Sequence, residues 1–328
     1  TYNIQGVPPN AYRKVKEINL QGERLFKLSK ELENNISFNG LMQAVNLDYG
    51  KTYYWGYTEE EIMKMFPDEF EREKFTQENL EKRKVGDKEF KTLNYTHIVI
   101  STDQDLDGIG NICSLIMVFI MTFWPELYKR KFVRRFQTPL IRVYKSQEVL
   151  NFYSYRSLEK WAEENNIQTN NLPRNMKIKY YKGLASHSKQ EVINDIGISA
   201  LDNIIVLNYD DEMLETMKLY YGEETCFRKD ILTTPVADTY PDDYLQTLQI
   251  NSSLHFNIET KSFHLHFMRR KIKNCLDGFI PSQRKALTAA RIKFHNNNSE
   301  IKVYQLSGYI TEKMCYHHGD ASMNGTII

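Results

Sequence analysis

HIVISTDQDLDGIGNI, residues 97–112, carries a short branched-aliphatic run into three alternating carboxylates and a glycine. Ile98-Val99-Ile100 has the composition of a buried strand. Asp103, Asp105 and Asp107 follow, with Gly108 behind them, so the formal charge reaches −3 within five residues. Like charges this close resist joint ionisation. A divalent cation relieves them, and hard carboxylate oxygens suit Mg2+ or Ca2+. An EF-hand loop shares the first six positions, but it follows a helix and needs a bidentate Glu at the twelfth, where Ser114 stands. The stretch reads as a strand-end Mg2+ site. A solvated acidic turn is the alternative.

Downstream of this loop, Ile112 to Phe123 is apolar nearly all round, the pattern of a buried helix, and Pro125 marks its end. Strands are expected at 139–145, 149–155, 177–183 and 203–209. Helices are expected at 157–165 behind Ser157, at 186–196 behind Ser186 or Ser188, and at 210–222, stopping at Gly222. Upstream, 58–84 reads as charged surface helices broken near Pro67, and Gly6-Val7-Pro8-Pro9 as a turn. Alternating strands and helices predict an α/β domain with a largely parallel sheet flanked by helices. Ligands of such sheets sit at the carboxyl ends of strands, where the Asp cluster lies.

After Gly222 the texture changes. Residues 231–262 are rich in Thr, Pro, Asp, Asn and Ser and read as a connector with a strand or two. From Phe267 the chain is basic and helical, with helices expected from Pro281 to about Phe294 and from Val303 to Met314. His317-His318-Gly319 makes a turn before a last helical start, and two helices with a basic entry suit a helix-turn-helix type of DNA-binding unit.

Composition bounds the rest. With 328 residues, 41% hydrophobic and 26% charged, the chain has room for about two domains with real cores. The longest apolar run, Ile112 to Trp124, is too short to span a bilayer, and nothing at the N-terminus resembles a signal peptide. Cys113, Cys226, Cys275 and Cys315 are scattered without a CxxC pair, as free thiols of a reducing compartment are. The net charge of +1 is uninformative, but Lys129-Arg130-Lys131 with Arg134-Arg135, and Arg269-Arg270-Lys271 with Lys273, are basic clusters able to neutralise phosphates.

TDQDLDG (102–108), PLIRV (139–143), KYYKGL (179–184), LDGFIPSQRK (276–285), KVYQLSG (302–308) and YHHGD (316–320) together resemble, in the same order, the breakage-reunion core of type IIA DNA topoisomerases. The resemblance covers about residue 91 to the end, and KYYKGL and YHHG follow the single-chain eukaryotic and viral form. It implies a Toprim domain at 1–209 lacking the family's Glu-bearing strand, a connector at 210–262, and the beginning of a mainly helical winged-helix domain at 263–328. It further implies Mg2+, with Mn2+ or Ca2+ as substitutes, on Asp103, Asp105 and Asp107. ATP would bind an N-terminal domain outside these residues. The implied partners are double-stranded DNA and a second copy of the chain, with no membrane. For a viral member the implied compartment is the host cytoplasm, or the nucleus.

Residue by residue, the resemblance places Lys182 near the DNA backbone and Arg284 and Lys285 near the scissile strand, with His317 and His318 supporting phosphate or the active-site Arg–Tyr pair. Arg142, Lys302 and Gln305 are further DNA-contact candidates. The structural alternatives are a solvated turn lysine, helix-surface charge and, for Arg142, a structural role.

The chain departs from the family pattern in three ways. No EGDSA-like motif with the acid/base Glu is present, the nucleophilic Tyr lies beyond Ile328, and Ile109-Gly110-Asn111 stands where Ser-His is usual. These 328 residues alone are therefore expected not to cleave DNA. Two other readings remain open. One is another Toprim enzyme (a primase, a type IA topoisomerase or a nuclease), and the other is a non-catalytic DNA-binding module.

Overall fold

The computed structural model describes the chain except for residues 5, 21–22, 146–147, 154, 169–172, 174, 182–187, 199–200, 235–247, 296–299 and 317. Two compact units are present, Thr1–Phe263 and His264–Ile328.

The first unit opens with an antiparallel hairpin, β1 (Val15–Leu20) and β2 (Glu23–Leu28). Helix α1 (Ile36–Val45) is capped by Asn35, whose side chain accepts from the Phe38 N–H at 2.9 Å. The charged segment forms α2 (Glu59–Met65) and α3 (Glu69–Phe90), separated around Pro67 as the sequence predicts. Thr58 and Glu61 cap α2 reciprocally: the Thr58 N–H donates to Glu61 Oε2 at 2.7 Å and the Glu61 N–H to Thr58 Oγ1 at 3.2 Å.

Seven more strands follow: β3 (Ile98–Ile100), β4 (Val133–Phe136), β5 (Ile141–Lys145), β6 (Glu148–Phe152), β7 (Met176–Tyr180), β8 (Ile204–Asn208) and β9 (Gln249–Asn251). They form two sheets, ordered β3-β4-β8-β9 and β6-β5-β7. The α/β character stands, but the expected largely parallel sheet is corrected. In the four-stranded sheet β3–β4 and β8–β9 are parallel and β4–β8 is antiparallel. The strands of 141–180 leave that sheet for an antiparallel one of their own. The cause is local: only residues 146–147 separate β5 from β6, and so short a link joins antiparallel strands alone.

Helix α4 (Ser114–Phe123) provides the crossover that parallel β3 and β4 require. Being apolar all round, it is buried at every residue except Thr122, and Phe119 stacks on Phe38 of α1 with ring centroids 3.8 Å apart. It begins two residues later than expected, because a π-helical turn occupies Gly108–Cys113. Helix α5 (Tyr155–Glu164) begins two residues before Ser157, which therefore lies in the first turn rather than at the cap. Helix α6 (Met213–Tyr221) ends at Gly222 as read.

Within 210–262 the chain forms α6, a helix Cys226–Thr233, strand β9, a helix Ser252–His255 and a π-helical turn Phe256–Thr260. Helix α7 (Lys261–Lys271) follows, and the division between units falls inside it. Two arginines of the first basic cluster are turned inward rather than offered to phosphates. Arg135 is 0% exposed, because on β4 it lies on the same core-facing side as Val133. The Arg130 side chain is 5% exposed, its Nε and Nη2 donating to the carbonyls of Tyr53 and Tyr54 at 2.9 and 2.8 Å.

The second unit packs α8 (Pro281–Lys293), α9 (Val303–Lys313) and α10 (Asp320–Ile327) around Ala289, Leu306, Ile310, Tyr316 and Met323. Pro281 opens α8 at the first helical position, where its missing N–H is no loss. Among the described residues no helix is long and apolar enough to cross a membrane.

Candidate functional site

Strand β3 ends at Ile100, and the acidic loop leaves from its carboxyl end. Asp103 and Asp105 are exposed and Asp107 is half-buried. Asp105 acts as a helix cap, its Oδ1 accepting from the Gly108 N–H at 2.7 Å while its carbonyl accepts from the Ile109 N–H at 2.9 Å. Gly108 is sterically required, since a Cβ there would lie 2.2 Å from the Asp103 carbonyl oxygen.

Asp103, Asp105 and Asp107 line one cavity of about 450 Å³, together with Thr102, Gly108 and residues 98–101. Among the described residues no group of three or more His, Cys, Asp or Glu side chains is gathered as a complete metal-holding set. The arrangement still fits Mg2+, which takes one or two carboxylates and completes its octahedron with waters and substrate phosphate. It does not fit a closed structural zinc or a calcium cage.

The remaining sequence candidates of the first unit fare differently. Lys182 lies outside the described residues. Arg142 is buried, its Nη2 donating to both Asp195 carboxylate oxygens at 2.6 Å and its Nε to Asn151 Oδ1 at 3.0 Å. These contacts are of the kind a structural role would make.

Glu191 was missed. Its carboxylate accepts from Tyr144 Oη at 2.6 Å, Lys179 Nζ at 2.8 Å, the Ser188 N–H at 2.6 Å and the Tyr181 hydroxyl. Burial alone would raise its pKa, but the Lys179, Tyr144, Tyr181 and Ser188 donors outweigh burial and hold it far below the usual carboxylate range. The signal was present: Ser188-x-x-Glu191 is a capping box, and the structure shows both halves of it.

In the second unit the Arg284 guanidinium is held in a fork by Asp277, Nε to Oδ2 and Nη2 to Oδ1, each at 2.9 Å. Lys285 Nζ donates to the Cys315 carbonyl at 3.1 Å. His318 Nε2 lies 3.3 Å from Arg270 Nη1, and its ring stands edge-on to Tyr316 at 5.4 Å. His317 lies outside the described residues. Lys302 is exposed, and Gln305 braces the start of α9, its Oε1 accepting from the Lys302 N–H at 3.1 Å. Residues 264–328 carry ten Lys and Arg against four Asp and Glu, a formal +6.

Fold and site define a two-unit protein in which a carboxylate loop at a strand end in an α/β unit precedes a basic helical unit. Residues 136–263 match the family described as the C-terminal associated domain of TOPRIM, and residues 270–328 match the family of the A subunit of DNA gyrase/topoisomerase IV. DNA topoisomerase 2 of African swine fever virus (isolate Tick/Malawi/Lil 20-1/1983) is 34% identical over 333 residues, covering 99% of this chain and 25% of the relative. DNA topoisomerase 2 of Drosophila melanogaster is 30% identical over 318 residues, covering 91% of this chain and 19% of the relative. A crystal structure of the Plasmodium falciparum topoisomerase II DNA-binding, cleavage and re-ligation domain superposes with a TM-score of 0.65 at 26% identity, covering 90% of this chain and 35% of that one. The chain belongs to the type II DNA topoisomerase family. It spans about a quarter of the length of the curated viral relatives it matches.

Proposed function

We propose that these residues are the Toprim and opening winged-helix parts of an ATP-dependent type II topoisomerase acting on duplex DNA as a homodimer. The observation that carries this reading is the trio Asp103, Asp105 and Asp107 lining one cavity at the carboxyl end of β3, in a chain whose viral relatives are DNA topoisomerase 2 enzymes. The reaction is cleavage and religation of one duplex through a phosphotyrosyl link while a second passes, with the tyrosine and the ATP site outside residues 1–328.

Asp103 and Asp105 would hold Mg2+, with Asp107 reached directly or through water. Bound there, the ion would stabilise negative charge on the non-bridging and leaving oxygens of the scissile phosphate. The Gly108 N–H keeps Asp105 Oδ1 in place. In the second unit, Asp277 holds the Arg284 fork through Nε and Nη2, and the guanidinium would meet phosphate through its remaining N–H groups. Lys285 and Lys302 add point charges that neutralise backbone phosphates, and His318 is a further hydrogen-bonding group.

Decatenation of interlocked duplex circles with ATP and Mg2+ tests the proposal, using the full-length protein that carries this core beside its Asp105→Asn variant. Separation by the parent and its loss in the variant are expected. A well-folded parent that leaves the circles linked would overturn the reading.

A further inference from the structure

The acidic loop is backed by a segment far from it in sequence. Its first turn, Gly108–Cys113, and the later turn Phe256–Thr260 are both π-helical, and the two pack together. π-Helical turns are rare and gather at functional sites. A Cβ on Gly110 would lie 2.4 Å from the Glu259 carbonyl oxygen and 2.7 Å from Phe263 Cβ, so only glycine permits this approach. That gives a physical reason for glycine within Ile109-Gly110-Asn111.

Polar contacts join the same two turns. Ser114 Oγ donates to the Ile109 carbonyl at 3.4 Å, and lies 3.0 Å from His255 Nε2 and 2.8 Å from Thr260 Oγ1. All three side chains are buried. Arg135 Nη1, from β4, lies 3.9 Å from Glu259 Oε1 on the same side. Burial and then the Arg135 charge keep His255 neutral, so it serves here as a hydrogen-bonding group. Apolar residues filling this space would be as stable or more so. A buried polar network instead specifies one geometry.

We propose that His255, Thr260 and the Glu259 backbone are positioning residues for the acidic loop, acting through Ser114 and Gly110 on the turn that Asp105 caps. The consequence for metal affinity rests on the function proposed above; the coupling rests on the packing alone.

The test uses the 328-residue chain with Gly110→Ala, Ser114→Ala and Thr260→Val. Tyr128→Phe serves as a control that removes a different buried hydrogen bond, from Tyr128 Oη to the Met117 carbonyl. Two readouts are taken: amide hydrogen exchange over residues 104–112 without metal, and Mn2+ affinity from the spin-resonance signal of the free ion. Faster exchange confined to the loop and about tenfold weaker Mn2+ binding are expected in the first three variants, with neither change in Tyr128→Phe at a similar loss of Tm. Ser114→Ala and Thr260→Val add no bulk, so they decide the matter where Gly110→Ala fails to fold. Exchange unchanged in those two, or moved equally by Tyr128→Phe, overturns the proposal. Equal Mn2+ binding by the wild type and Asp105→Asn removes the metal reading instead, and the exchange measurement still decides the positioning.

Discussion

At the scale of single residues, environment rather than type decides behaviour. Arg142 and Asp195 are a buried pair at 2.6 Å. Arg142→Met leaves a buried carboxylate unpaired, so urea unfolding should show a loss of about 3 kcal/mol. Cys113 is fully buried, and burial pushes its thiol up to about 12, whereas Cys226, Cys275 and Cys315 are exposed. A thiol reagent at neutral pH should therefore titrate three cysteines in the native chain and the fourth only after denaturation. Glu191 ties Tyr144 of β5 to Lys179 of β7. Its folded pKa lies below its ordinary 4.5, so its stabilisation is complete above that pH and is lost as pH falls toward the folded value. Followed by tyrosine fluorescence, Glu191→Gln should be less stable at pH 7 and lose less on acidification below pH 4.5.

Elements show where local sequence suffices and where it does not. The break at Pro67, the start of α8 at Pro281 and the stop at Gly222 were legible because proline and glycine act on their own backbone. The acidic loop was legible for the same reason: a branched run, a carboxylate able to cap, and a glycine where no Cβ fits. The burial of Arg135 was not legible because it depends on β8, whose partner residue Ile205 lies seventy positions further along the chain. The Tyr144 contact of Glu191 and the His255 contact of Ser114 escaped for the same cause: the partners are close in space and distant in the chain. Helix α3 offers a test of how far tertiary packing overrides propensity. Ala in place of an interior helical glycine ordinarily stabilises by about 1 kcal/mol. Gly86→Ala should instead destabilise by about 1–3 kcal/mol in thermal or urea melts, because its Cβ would meet the Tyr54 carbonyl oxygen at 2.2 Å.

Across the whole molecule, charge is segregated. The first unit has a formal −5 and the second +6, a contrast concealed by the net +1. Binding of duplex DNA should therefore weaken linearly in log–log plots against salt, and Lys285→Ala should reduce the slope by about 1 without changing sequence preference. The slope of any folded Arg142 variant should match that of the wild type, since this guanidinium already faces Asp195.

The strand order β3-β4-β8-β9 also sets a timetable. On a ribosome adding roughly 5–20 residues per second, β9 emerges on the order of 10 s after β3. Throughout that interval Arg135 has no Glu259 beside it, and Ser114 has neither His255 nor Thr260. The acidic loop is therefore synthesised early and shaped late. A nascent chain that stalls before residue 249 has nearly all of the apolar core around α4 but lacks β9 and Phe256, so what it waits for is the backing of the loop rather than the core itself.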